Sequence, residues 1–245
     1  MKSIMHKIII ILGFSAVITV FVSCEVSNKK ILRYQKLEEG VSNPTTIEEL
    51  KDAIKKYGER AADVQMAVGQ VGIWYKILGT RYLDQKMYGE ALKCFQEALK
   101  YYPDNQNLYY YVGVCAGYMS HAALDFGGTG NTQQKYNYLK LAEEAYLRAI
   151  SIEDRYVRAL YGIGVLYVFE LDESQKAIPY LEKAIEIDTR NLDAMFVLAR
   201  AYYSCYEFDK STEMYDKIIN TTKSQEKKAI ALENKEKVLN AQYSN

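Results

Sequence analysis

A chain of 245 residues, 49% hydrophobic and 25% charged, is long and apolar enough to bury one continuous core. Its 31 lysines and arginines balance 31 aspartates and glutamates, so no basic stripe points to nucleic acid. Three prolines and 14 glycines suit packed helices, and the 23 tyrosines supply contact area with a polar tip.

The N-terminus reads as a targeting segment. Lys2 and Lys7 precede an apolar run from Ile8 to Val22 that ends Phe21-Val22-Ser23-Cys24. That run is shorter than the roughly 20 residues a membrane span needs, which favours a cleaved signal over an uncleaved anchor. It resembles a bacterial lipoprotein signal of the relaxed, spirochaete-like kind, with Phe21 where leucine is usual. The resemblance implies removal of residues 1–23 and lipidation of Cys24, with palmitate among the acyl chains. Such lipids would anchor the protein to a bacterial inner or outer membrane, facing the periplasm. The mature chain then carries 29 basic and 31 acidic residues.

Residues 24–45 are polar and read as the lipidated cysteine and a flexible tether. Thr46-x-x-Glu49 fits a capping box opening a helix. Gly58 is expected to end that helix, and residues 46–71 are expected to form N-terminal capping helices over the open end of a helical array that begins near residue 72.

From Tyr75 the chain becomes periodic. Tyr75, Leu78, Gly79 and Tyr82 are followed by Ala91, Phe95 and Ala98, and Pro103 punctuates the unit. Gly113 lies 34 residues after Gly79, Gly164 lies 51 after Gly113, and Ala199 lies 35 after Gly164. The long interval contains a 17-residue insertion near residues 119–136, and one further residue has slipped in between Gly164 and Ala177. At these positions the spacing is similar to that of the tetratricopeptide repeat, a pair of antiparallel helices about 34 residues long. The resemblance implies an all-α solenoid over 72–221, in units 72–105, 106–156, 157–191 and 192–221, with 222–245 as a C-terminal capping helix.

Little in the chain suggests catalysis. Beyond the signal, His121 stands without a metal-ligand neighbour, and Cys94, Cys115 and Cys205 read as buried thiols. The glycines from 127 to 130 lack the Lys-Ser/Thr of a phosphate loop. No enzyme activity, cofactor or metal is expected. Repeat arrays of this kind bind partners on the concave face lined by the first helix of each pair. That rule assigns Lys76, Tyr110, Val114, Arg158, Tyr161, Val165, Phe196, Arg200 and Tyr203 to a partner-binding groove. Gly117 and Val168 fall on the same face, and His121 and Phe126 belong to a possible flap formed by the insertion. The Lys and Asn clamp that some relatives use for acidic peptide C-termini is missing. Two functions remain open: a scaffold for protein partners in the cell envelope, or a lipid or small-molecule binding component associated with a periplasmic solute transporter.

Overall fold

The computed structural model describes residues 44–125 and 132–244. The lipidation site Cys24, most of the tether, and Phe126 of the insertion lie outside them. The chain divides into two compact units, residues 1–67 and 68–245.

The described part of the first unit is the opening of one helix, α1 (Ile47–Asp84). Its start is a reciprocal cap: the Glu49 N–H donates to Thr46 Oγ1 at 3.2 Å, and the Thr46 N–H donates to Glu49 Oε2 at 3.0 Å. The Thr45 N–H donates to the same carboxylate oxygen at 2.9 Å. These backbone donors favour the ionised carboxyl and hold Glu49 down at about 2. Gly58 does not end the helix. It lies inside α1, where an added Cβ would meet nothing within 4 Å. Glycine in a helix interior costs only about 1 kcal/mol against alanine, and the helix-forming residues around it outweigh that. Residues 47–84 thus form one helix, with no break at Gly58.

In the second unit the helices run in pairs: the end of α1 with α2 (Tyr88–Leu99), then α3 (Gln106–Asp125) with α4 (Thr132–Ile152). The third pair is α5 (Val157–Val165), prolonged by a π-helical turn Leu166–Glu170, with α6 (Ser174–Ile187). The fourth is α7 (Leu192–Ser204) with α8 (Phe208–Thr221), and α9 (Gln225–Ser244) comes last, burying Ala231 and Val238. Nine α-helices and no strand occur among the described residues.

Small residues set the spacing within each pair. A Cβ added to Gly79 would lie 2.8 Å from the Phe95 ring, one on Gly113 2.7 Å from Tyr146, and one on Gly164 2.5 Å from Leu181. In the fourth pair Ala199 takes this place, and the buried Ser211 hydroxyl donates to its carbonyl at 2.8 Å. The turns repeat as well. Lys86, Asp172 and Tyr206 share a left-handed backbone (φ 60°, 54° and 61°) at the same place between the two helices of their pairs.

The single slipped residue of the third repeat has a structural form. Lys86 follows Gly79 by 7 residues and Tyr206 follows Ala199 by 7, but Asp172 follows Gly164 by 8. The helix takes up the extra residue as its π turn, in which the Leu171 N–H donates to the Leu166 carbonyl at 3.1 Å.

Neighbouring repeats are tied by packing and by a recurring polar contact. The Tyr167 hydroxyl donates to Glu143 on α4 at 2.7 Å, and Tyr202 donates likewise to Glu182 on α6. Burial and the facing carboxylate push both phenols up. On the surface, Arg148 meets Asp104 at 3.1 Å and Lys183 meets Asp154 at 3.0 Å, each pair spanning adjacent repeats.

Candidate functional site

The first helices of the second and third pairs, α3 and α5, flank an open pocket of about 320 Å³. Helical spacing puts Tyr110, Val114, Gly117, Tyr118 and His121 along one stripe of α3, and Tyr161, Gly162 and Val165 of α5, with Leu166 of the π turn, along the facing stripe. Tyr146 of α4 closes the back, and Glu170, at the end of the π turn, closes one side.

Tyrosine rings fix the walls. Tyr110 meets Tyr146 with ring centroids 6.2 Å apart and Tyr156 edge-on at 5.9 Å. Tyr118 stacks on Tyr88 at 4.2 Å. The Tyr156 hydroxyl is spent on Asn107, donating to Oδ1 at 2.8 Å. Burial pushes the phenols of Tyr110 and Tyr161 up, and that of Tyr156 up to about 12, so these three side chains are neutral at physiological pH. For Tyr110 and Tyr156 the positive charge of Arg158 opposes that rise, which places a cation beside these two rings.

Among the described residues, two lining side chains carry ionisable groups other than phenols, and they face each other. His121 Nε2 lies 3.0 Å from Glu170 Oε1, with the histidine side chain 58% and the glutamate side chain 17% accessible. The carboxylate is thus the more enclosed partner.

The structure sorts the expected groove residues into three sets. Tyr110, Val114, Tyr161 and Val165 meet in the pocket, and His121 of the expected flap joins them from the end of α3. Arg158 stays exposed beside Tyr156. Phe196, Arg200 and Tyr203 lie further along, on α7, against α8: Phe196 meets Tyr215 at 6.2 Å, Tyr203 meets Phe208 at 5.8 Å, and the Arg200 guanidinium lies 5.4 Å from the Tyr203 ring centre. Lys76 is on α1 and half-buried, away from the pocket lining. Val168, expected on the groove face, is instead buried in the core because the π turn rotates that stretch of helix inward.

Five lining residues escaped the repeat-based reading: Tyr118, Tyr146, Gly162, Leu166 and Glu170. The slip between Gly164 and Ala177 was the signal that could have marked Glu170, since an extra residue turns every later side chain of α5 to a new face. Cys94 and Cys115 are buried, and burial pushes the Cys115 thiol up to about 12. Cys205 is partly exposed. Among the described residues no cluster of three or more metal-ligating side chains occurs, and no helix is long and apolar enough to cross a membrane.

Comparison with known proteins agrees with this architecture. A family model described as Tetratricopeptide repeat matches residues 73–105, and a second of the same description matches residues 157–191. The chain is similar to a TPR repeat-containing protein of Borreliella burgdorferi, 25% identical over 226 residues that span 89% of this chain and 94% of that protein. Among solved structures, a crystal structure of MamA aligns with a TM-score of 0.53 at 21% identity, over 76% of this chain and 99% of MamA. YrrB, described as a TPR protein with an unusual peptide-binding site, aligns with a TM-score of 0.52 at 20% identity, over 85% of this chain and 88% of YrrB.

Proposed function

We propose, on the premise that the chain is a tetratricopeptide repeat protein, that it is a non-catalytic scaffold whose groove between α3 and α5 holds a segment of a protein partner in the bacterial envelope. The observation that carries this reading is the open, tyrosine-walled pocket on the face lined by the first helix of each pair. Rigid aromatic rings with polar tips give large contact area at low entropic cost, which is what binding surfaces select. The peptide-binding site named for YrrB supports the same use of the fold. Arg158 near the pocket and Arg200 on α7 give the groove its charge and set the direction in which a segment lies. Lipid on Cys24, joined through the tether, holds the scaffold at the membrane.

The test is purification from native membranes in mild detergent beside a Tyr110→Ala, Tyr161→Ala variant. A protein companion that leaves only with the variant supports the scaffold, and unchanged companions contradict it. Incorporation of labelled palmitate that Cys24→Ala abolishes tests the anchor separately.

One observation favours a second reading. A volume of about 320 Å³ is within the range of small-molecule sites, so a lipid or metabolite carrier associated with a periplasmic solute transporter is the alternative. Loss of a small molecule rather than a protein from the double variant would select it.

A further inference from the structure

We propose that the pocket between α3 and α5 receives one cationic side chain of the bound segment, an arginine or a lysine, with its aliphatic stem against the tyrosines and its head at Glu170. The inference rests on the groove being the binding site and adds what that site selects.

The pocket is apolar along its length and acidic at one place. Tyr110, Tyr161, Val114 and Val165 offer ring faces and methyl groups, which suit a methylene stem. Ring faces also attract cations, more strongly where water is excluded. Glu170 supplies the negative charge. Its side chain is 17% accessible, and its partner among the described residues is His121, which engages Oε1 at 3.0 Å. A carboxylate accepts up to about four hydrogen bonds, so a guanidinium or ammonium can bind Glu170 while His121 remains in place. An anionic head would be repelled there, and a neutral one would leave an enclosed charge poorly paired.

The geometry also sets the direction of insertion. Arg158, near the start of α5, lies about 18 Å along the helix from Glu170 by helical rise. A cationic head is therefore repelled at the Arg158 end and attracted at the Glu170 end. The π turn is what brings Glu170 to this position, since a regular helix would carry its side chain about 100° around the axis.

Three probes with the same four-carbon stem test the proposal on the full chain in detergent: n-butylguanidinium, n-butanol and n-pentanoate, each followed by chemical-shift changes at Gly117, Gly162 and His121. The expected result is saturable binding of butylguanidinium, at least about tenfold tighter than butanol, with pentanoate inert. Glu170→Gln should remove that preference and leave the butanol response unchanged. No saturable response to butylguanidinium, equal response to butanol, or an undiminished preference in Glu170→Gln overturns the inference. The comparison of probes on the unmodified chain stands even if the variant folds poorly. Failure here, with a protein companion still lost from the Tyr110→Ala, Tyr161→Ala variant, removes the cation pocket and keeps the scaffold. Failure here with every companion retained by that variant removes both.

Discussion

A methyl group added at Gly164 would sit 2.5 Å from Leu181 Cδ2, and Leu181 is fully buried with no room to withdraw. Gly164→Ala should therefore destabilise the protein by about 1–3 kcal/mol in urea unfolding. Gly117 has nothing within 4 Å of the same added group, so Gly117→Ala should stabilise by up to about 1 kcal/mol through helix propensity. Opposite signs at two helical glycines would establish that helix spacing, not glycine content, governs the fold. Lys86 makes a third case. Its φ of 60° strains any side chain, and Lys86→Gly should raise stability, by up to about 1 kcal/mol. Gly79, Gly113 and Gly164 were legible because they recur at the repeat interval once the 17-residue insertion is allowed for. Glu170 was not, because its position depends on a backbone irregularity and no spacing rule assigns it a face.

At the scale of the helix, the π turn is the informative element. Deleting Phe169, which is exposed, would restore the residue count of the other repeats and let α5 continue as a regular helix. The deletion should leave the melting temperature within a few degrees of wild type and keep Glu170 on the pocket face, because losing one residue together with the π turn places it four residues after Val165 in a regular helix. Retained butylguanidinium binding in a protein that melts normally is the expected outcome, and loss of binding would contradict the register given to the turn. The capping box at the start of α1 makes a pH prediction. The Glu49 carboxyl in the folded state titrates at about 2, below its ordinary value. The stabilisation it contributes is complete above the ordinary carboxylate range, at about pH 4.3, and is lost as pH falls through about 2. Amide protection of residues 47–50, taken relative to the intrinsic exchange rate at each pH, should fall over that window and not above it. Thr46 and Glu49 were legible because capping is local. The continuity of α1 through Gly58 was not, because one glycine is a weak punctuation mark whose effect depends on its neighbours.

Across the whole molecule, the repeat architecture was legible because each helix pair must bury the same faces in the same way, so the pattern recurs along the chain. Phe95, Tyr146 and Leu181 are buried beside the glycines of their own pairs, and these contacts position the face that carries the pocket. The pocket itself was half legible. Tyr110, Val114, Tyr161 and Val165 follow from repeat position, whereas Tyr118 and Tyr146 are reached only through the packing of three helices. The separation of Phe196 and Tyr203 from that pocket depends on α8, whose Tyr215 and Phe208 engage them. Side-chain pairing of this kind is set by tertiary contact and leaves no interval in the sequence.

The claim that a partner segment lies in the α3–α5 groove is tested most directly by photocrosslinking in native membranes. A photoreactive phenylalanine analogue is placed at Tyr161 in the pocket wall or at the exposed Phe169 outside it. The account predicts one dominant protein crosslink from position 161 that is absent from position 169. Equal crosslinking from both positions, or crosslinking from 169 alone, would contradict it.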